Sequence, residues 1–219
     1  MTTPSTPRDQ NATGSGHRGT IAVVTAGLSQ PSSTRLLADR LAEATDRALR
    51  LYGEQVNVEV IELRDLAHDL TNNLLTGFPS GHLASAIEKV AEADGLIAVT
   101  PVFSASYSGL FKTFFDVLED GTLAGKPALV AATAGTARHS LVLEFAMRPL
   151  FAYLGAVVVP TGVFGASEDF GSNASGSLAE RVDRAGRELA GLVVGRQTSG
   201  PVDPFDNPTP FEELLSGGR

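Results

Sequence analysis

Hydrophobic positions along the chain fall into short runs that alternate with longer segments of mixed character. Five runs rich in β-branched or small apolar residues predict strands, at 20–25, 56–63, 95–100, 127–133 and 156–161. The segments between them repeat apolar residues every three or four positions and predict helices, at 33–51, 83–92, 107–118, 140–154 and 175–195. Such alternation is typical of βαβ units, in which helices cover both faces of a parallel sheet.

Five parallel strands with these crossovers predict an α/β three-layer sandwich of flavodoxin-like topology, with strand order 2-1-3-4-5. The order reverses between strands one and three, so a ligand is expected beyond Thr25 and Thr100. Gly53, Gly95 and Gly155 stand where helices hand over to strands, where a positive φ is expected. The polar segment 67–81 predicts an irregular connection after strand two.

The two ends of the chain differ in composition from the middle. Residues 1–19 are rich in Thr, Ser, Pro and Gly without hydrophobic periodicity, which predicts a disordered leader. Residues 196–219 form a Pro-rich C-terminal tail whose Phe and Leu side chains could anchor it on a neighbouring surface. One domain is therefore expected at 20–195.

Charge and cysteine content narrow the possible functions. The net charge of −8 disfavours a nucleic-acid partner, because phosphates would be repelled. The absence of cysteine removes disulfides, thiolate metal sites and thiol redox chemistry, so a redox function requires a cofactor. No run reaches the roughly 18 apolar residues of a membrane span, and the start has no apolar signal segment. A cytoplasmic protein without a membrane or metal partner is expected.

The turn between the first strand and helix, AGLSQPSST at 26–34, is dense in hydroxyl groups. Ser29, Ser32, Ser33 and Thr34 surround a predicted helix N-terminus, whose free N–H groups and dipole suit a phosphate. The alternative is an ordinary helix cap, which needs one hydroxyl rather than four. Neither GxGxxG nor GxxxxGK[ST] is present, which disfavours a Rossmann dinucleotide site and a P-loop.

The segment TPVFSASYSGLFKTFFD, at 100–116, follows the third strand. Pro101 sets the strand exit, and Ser104, Ala105 and Ser106 are small enough for a flat ring to approach the backbone. Val102 and Phe103 would cover the face of such a ring. Phe103 is equally well explained as a core aromatic.

The segment ATAGTARHS, at 132–140, follows the fourth strand and should lie beside the second loop. Thr133, Gly135 and Thr136 offer backbone amides that could stabilise negative charge on a bound ring. His139 joins the candidate cofactor-binding residues, although a lone histidine here is equally well explained as a solvated residue or packing partner. A redox reaction between stacked rings needs no general acid, so no catalytic side chain is predicted.

These three loops, in this order, resemble the NADPH-dependent FMN reductase family, and most closely the flavin reductases of two-component sulfonate monooxygenase systems. The similar stretches are ADGLIAVTPVFSASYSGLFKTFFDVL at 93–118, ATAGTARHSLVLEFAMRPLFAYLGA at 132–156 and GVF at 162–164. With the first loop, the resemblance covers roughly 20–192. The chain departs from the family by reading Gly27-Leu28-Ser29 where Gly-Ser is common, and Ala134 where a second glycine is common.

The resemblance implies non-covalently bound FMN, reduction by NADPH or NADH, and reduced flavin passed to a partner monooxygenase. It places the phosphate contacts on Ser29, Ser32 and Thr34, with Gln30 nearby. It places the ring contacts on Pro101, Val102, Phe103, Ser104, Ala105, Ser106, Thr133, Ala134, Gly135 and Thr136. It also implies a homodimer or homotetramer, to which Phe111, Phe114, Phe115, Phe145 and Met147 could contribute. Such residues at helical spacing more often belong to the core, so no interface is assigned.

Three other hypotheses remain open at this point. The chain could be a flavodoxin-like electron carrier, a quinone or azo reductase that uses bound FMN, or a binding module that has lost turnover. Arg35, Arg138 and Arg148 are the candidate cations for a 2′-phosphate.

Overall fold

A computed structural model describes residues 19–170 and 176–198, which fold around one twisted parallel sheet. Within those residues the strands are β1 (Gly19–Thr25), β2 (Val56–Glu62), β3 (Gly95–Phe103), β4 (Ser106–Tyr107), β5 (Pro127–Ala134), β6 (Val157–Val158) and β7 (Val163–Ala166). The main path is β2-β1-β3-β5-β6, and all of its pairings are parallel. The predicted α/β flavodoxin-like fold is confirmed.

The helices are α1 (Ser33–Leu51), α2 (Ala67–Thr76), α3 (Gly81–Glu92), α4 (Gly109–Asp116), α5 (Arg148–Tyr153) and α6 (Gly176–Thr198). α1 and α6 cover one face of the sheet together, in a core that includes Leu37, Leu41 and Leu189. The other face carries the core of α3, α4 and α5, with Phe111, Phe115 and Phe151 in mutual contact. Both faces of β1 are buried, which is why its sequence is apolar at nearly every position.

The prediction of five strands is wrong, because the described residues form seven. β3 continues past the sheet and turns back as β4, which pairs with it antiparallel. Of the fifth predicted strand, 156–161, only Val157–Val158 forms a strand, β6. β7 begins after the predicted range, at Val163, and the two strands pair with successive parts of β5. Pro160 lies in the gap, where it has no N–H to donate to a neighbouring strand.

Two connections also differ from expectation. Residues 67–76 form α2 rather than an irregular segment, with Leu70 and Asn73 buried on one face. The predicted helix 140–154 is instead a π-helical turn, Leu143–Met147, followed by the short α5. Pro149 cannot donate to the carbonyl four residues before it, so a regular α-helix cannot run through this segment.

The three glycines between helices and strands, Gly53, Gly95 and Gly155, have two different roles. Gly53 and Gly155 have φ values of 83° and 77°, as expected. Gly95 is not in the left-handed region, and that prediction is wrong. A Cβ at Gly95 would lie 2.9 Å from Val193 Cγ2, so close packing of α6 on the sheet requires glycine there.

The predicted leader 1–19 and tail 196–219 lie outside the described residues, apart from Gly19 and 196–198. Gly19 is already the first residue of β1, and α6 runs to Thr198. Within the described part of the chain, no helix combines the length and apolar character needed to cross a membrane.

Candidate functional site

The three predicted loops come together at the carboxyl edge of the sheet. The Ala26 N–H donates to the Val99 carbonyl at 3.0 Å, which joins the first loop to β3. Pro101 is in register with Thr133, which places the second loop beside the third. The hydroxyls of Thr34 and Thr133 lie 2.8 Å apart and are buried, which connects the first loop to the third.

The first loop folds tightly over Gly27. A Cβ at Gly27 would lie 2.1 Å from Ser32 Oγ, so a side chain cannot fit there without moving the turn. Ser32 is the N-cap of α1, and its hydroxyl accepts the Arg35 N–H at 3.2 Å. The ordinary capping role is therefore correct for this one serine.

The four hydroxyls of the first loop divide into two pairs. Ser32 caps the helix, and Thr34 is directed at Thr133. Ser29 and Ser33 are exposed, and neither hydroxyl has a partner among the residues the structure describes. The backbone N–H groups of Ser33 and Thr34 likewise have no acceptor in that part of the chain. The N-terminus of α1 therefore offers an anion two free hydroxyls, two free backbone amides and a favourable helix dipole.

The second loop is a β-hairpin with a two-residue turn. Val102 pairs with Tyr107 and Phe103 pairs with Ser106. Ser104 and Ala105, at the tip, have φ values of 48° and 70°, in the left-handed region where side chains are disfavoured. Strain of this kind concentrates at functional sites. The tip is exposed and carries only small side chains.

Thr100 and Ser108 fix the base of this hairpin. The Thr100 hydroxyl accepts the Ser108 N–H at 3.0 Å and donates to the Pro101 carbonyl at 2.9 Å. The Ser108 hydroxyl accepts the Phe111 N–H at 3.1 Å and begins α4. From sequence, Thr100 marked only the strand end beyond which a ligand is expected, because a threonine there gives no indication of bonds to residues further along.

The two aromatic residues of this loop are placed differently. Phe103 is 48% exposed, so it is not a core residue. Tyr107 packs against Phe111, with ring centroids 5.9 Å apart. Its ring is thus directed towards α4 and the hydrophobic core on that face of the sheet.

The third loop is open beyond its first two residues. Thr133 is buried and Ala134 half-buried, in register with Ala166 of β7. Gly135, Thr136 and His139 are exposed, and a Cβ at Gly135 would meet no atom within 4 Å. The backbone amides of this loop therefore border an accessible surface.

Of the three candidate cations, two are already engaged. Arg35 binds Asp39 at 2.7 Å and also Glu62, and the Asp39 carboxylate raises the pKa of Arg35 above its ordinary value. Arg148 binds Glu144 and the Val159 and Pro160 carbonyls. Arg138 is exposed and has no ion pair within the described residues.

Sequence reasoning missed a cation beside the first loop. With its amide oxygen directed at Arg64, Gln30 accepts from both Nη atoms, at 2.7 Å from Nη1. Arg64 follows β2 within a short 3₁₀ turn, Leu63–Leu66. Its position directly after a predicted strand was the only indication in the sequence.

The residues considered for an interface mostly belong to the core. Phe111, Phe114, Phe115 and Met147 are buried, whereas Phe145 is 77% exposed. Phe145 lines a groove of about 500 Å³ between α4 and the π-helical turn, together with Tyr107, Lys112, Leu150 and Tyr153.

Comparison with known proteins gives consistent matches across this region. A model of the family described as NADPH-dependent FMN reductase matches residues 20–171. A Pseudomonas aeruginosa protein named FMN reductase (NADPH) is 34% identical over 178 residues, covering 80% of this chain and 93% of that protein. NADH-dependent FMN reductase SfnF of Pseudomonas putida is 33% identical over 150 residues, covering 68% of this chain and 78% of that protein. A solved oxidoreductase structure from Corynebacterium diphtheriae has a TM-score of 0.79 at 50% identity, covering 82% of this chain and 98% of that one.

Proposed function

The chain belongs to the NADPH-dependent FMN reductase family and is an NAD(P)H:FMN oxidoreductase, and we propose that FMN binds where its three loops meet. The observation that carries this location is the convergence of a hydroxyl-rich helix N-terminus, a small-residue hairpin and an open amide loop on one sheet edge. Bound there, FMN supplies the hydride acceptor for the reduced nicotinamide.

The first loop fits the phosphate of FMN. The exposed hydroxyls of Ser29 and Ser33 and the N–H groups of Ser33 and Thr34 are donors without protein acceptors among the described residues. They lie at the N-terminus of a 19-residue helix, whose dipole adds roughly half a positive charge. Thr34 contributes by shaping the loop, because its hydroxyl is bonded to that of Thr133. The Ser32 hydroxyl accepts the Arg35 N–H and keeps its own O–H for a phosphate oxygen.

The second and third loops fit the ring. The exposed turn at Ser104 and Ala105 presents backbone next to short side chains, which allows a planar ring to approach closely. Gly135 and Thr136 would place amides beside the ring edge where negative charge accumulates on reduction. His139 is exposed at the rim and is assigned no proton transfer.

Spectroscopy tests the activity directly. Titration with FMN should give saturable binding, and anaerobic addition of NADPH or NADH should bleach the oxidised-flavin absorbance. Steady-state kinetics with varied FMN and both nicotinamides, followed by quinone and azo acceptors, would identify the donor and the acceptor. Turnover without a partner protein excludes the electron-carrier alternative, and absence of bleaching with both nicotinamides would refute the proposal.

The location of the site has its own test. Ser33→Ala removes an unpartnered hydroxyl and should weaken FMN binding about tenfold, because a hydrogen bond to a charged group is lost. Ser85 is exposed on α3, outside the three loops, and its hydroxyl also has no partner among the described residues, so Ser85→Ala serves as the matched control. Equal affinity in both variants would contradict the assignment of the phosphate site.

We also propose that the protein is a homodimer or homotetramer that uses the groove beside Phe145. The support is the exposure of two aromatic side chains, Phe145 and Tyr153, at 77% and 90%, in one groove. Phe145→Glu should lower the mass measured by light scattering, whereas Leu51→Glu, at an equally exposed position at the end of α1, should not. An unchanged mass for Phe145→Glu would refute this interface.

A cytoplasmic location and delivery of reduced flavin to a monooxygenase complete the proposal. The cytoplasm holds the NAD(P)H on which the reaction depends. The open rim of the third loop supports release of the flavin. Saturation of the rate with added FMN, and loss of FMN on desalting, would show that flavin is exchanged. FMN retained through both procedures would contradict delivery by diffusion.

A further inference from the structure

The first loop has no positive side chain of its own. Residues 26–34 contain no Lys or Arg, and the guanidinium of Arg35 is bound by Asp39 and Glu62. A phosphate monoester carries about 1.5 to 2 negative charges at neutral pH, more than the half charge of a helix dipole. A phosphate at this loop therefore keeps negative charge that a cation from another part of the fold can offset.

Arg64 is the cation that the fold brings to the loop. Thr25, at the end of β1, is in register with Glu62, at the end of β2. Arg64 follows two residues later, and its side chain is 21% exposed. Gln30 lies inside the hydroxyl-rich turn, and when its amide is turned so that the oxygen faces Arg64, it accepts from Nη1 and Nη2. The guanidinium is thus held against the first loop.

Among the residues that the structure describes, the ion pairs of Arg64 involve only its Nε atom, so the two Nη atoms are free to interact with the first loop. Glu62 Oε2 and Asp65 Oδ1 lie 3.2 and 3.4 Å from Nε, on the inner side of the guanidinium. Glu62 is shared with Arg35, so its charge is divided between two cations. The two Nη atoms carry four N–H groups, whereas the Gln30 oxygen accepts two hydrogen bonds. Two charged donors beside the loop therefore have no acceptor within the described residues.

We propose that Arg64 is a cofactor-binding residue whose Nη groups, positioned by Gln30, pair with the phosphate of FMN. This inference rests on the proposed function, because it concerns the same site. The fork of a guanidinium matches two phosphate oxygens, which a single lysine ammonium cannot do. The neutral amide of Gln30 positions Arg64 without cancelling its charge.

Comparison of FMN with riboflavin, which lacks the phosphate, isolates this contact. Arg64→Gln should raise the Kd of FMN about ten- to hundredfold and leave the Kd of riboflavin unchanged. Arg64→Lys should restore part of the FMN affinity. Arg50, at the far end of α1 and paired only with Asp46 among the described residues, gives a matched charge control, and Arg50→Gln should change neither Kd.

Two results would overturn the inference. Equal weakening of FMN and riboflavin, together with a lower melting temperature, would show that Arg64 only maintains the loop. An unchanged Kd for FMN would show that it does not contact the phosphate. Salt dependence provides a second readout, because removing a phosphate contact should flatten the rise of the FMN Kd with salt, and an unchanged slope would also refute the contact. If the wild-type protein bound neither flavin, the proposed function itself would fail.

Discussion

Replacing Gly27 with alanine puts a methyl group into the space occupied by the Ser32 hydroxyl. The new Cβ would lie 2.1 Å from Ser32 Oγ and 3.2 Å from Ser32 Cβ, so the serine must move. Overpacking costs about 1 to 3 kcal/mol, and loss of the helix cap costs about 1 kcal/mol more. We expect a total of about 2 to 4 kcal/mol in the free energy of unfolding.

A double-mutant cycle tests whether this single contact is the cause. Ser32→Gly alone should cost only a few tenths of a kcal/mol, because glycine is an acceptable N-cap. In the Ser32→Gly background the nearest remaining atom is Thr34 Cβ at 3.1 Å, so Gly27→Ala should then cost about 1 kcal/mol or less. Urea unfolding of the apoprotein gives the free energy of unfolding of the wild type, both single variants and the double variant.

Flavin titrations and a control glycine complete this experiment. Gly27→Ala should weaken FMN binding, and Ser32→Gly should restore part of it, because the loop recovers its path. Gly81→Ala, where nothing lies within 4 Å of the added Cβ, should leave stability unchanged or slightly improved. If Gly27→Ala cost the same within about 0.5 kcal/mol in both backgrounds, Ser32 would not be the cause.

Three further changes have expected outcomes. Gly186→Ala places a Cβ 2.8 Å from the Ala44 carbonyl carbon, which forces α1 and α6 apart and should cost about 1 to 3 kcal/mol by urea unfolding. Ala105→Gly removes a side chain at a φ of 70° and should raise the free energy of unfolding by about 1 kcal/mol. An unchanged free energy of unfolding would show that the turn is not strained. Burial lowers the pKa of Lys126 to about 8, so between pH 8 and its unfolded value near 10.5 the unfolded chain binds the extra proton and stability should rise with pH. Lys126→Met should abolish that rise, and persistence of the rise would assign it to another group.

Much of the fold follows from local pattern, and the differences have local causes. Both faces of β1, β3 and β5 are buried, which makes their apolar runs unambiguous. α2 was missed because its Asn residues have low helix propensity, although Leu70 and Asn73 are buried on one face. The predicted strand 156–161 ran past the end of β6 because Pro160, directly after three valines, was included although it has no N–H to donate to a neighbouring strand.

The candidate site could be predicted only to the level of loops. Four hydroxyls in the first loop look alike in sequence, and the contact of Gly27 with Ser32 decides which of them caps the helix. Thr34 is buried because its partner, Thr133, lies 99 positions away. Arg64 reaches Gln30 across two neighbouring strands, and no spacing rule along the chain contains that relation.

The contact between Thr34 and Thr133 has a consequence for the cost of binding. It joins the first loop to the third, which would hold opposite ends of the ligand, so the distance between these loops is fixed before the ligand binds. Less conformational entropy is then lost on association than if two free loops had to be ordered together. This hydrogen bond therefore favours ligands whose length matches the fixed distance between the two loops. A longer ligand would have to separate the loops and break a buried hydrogen bond.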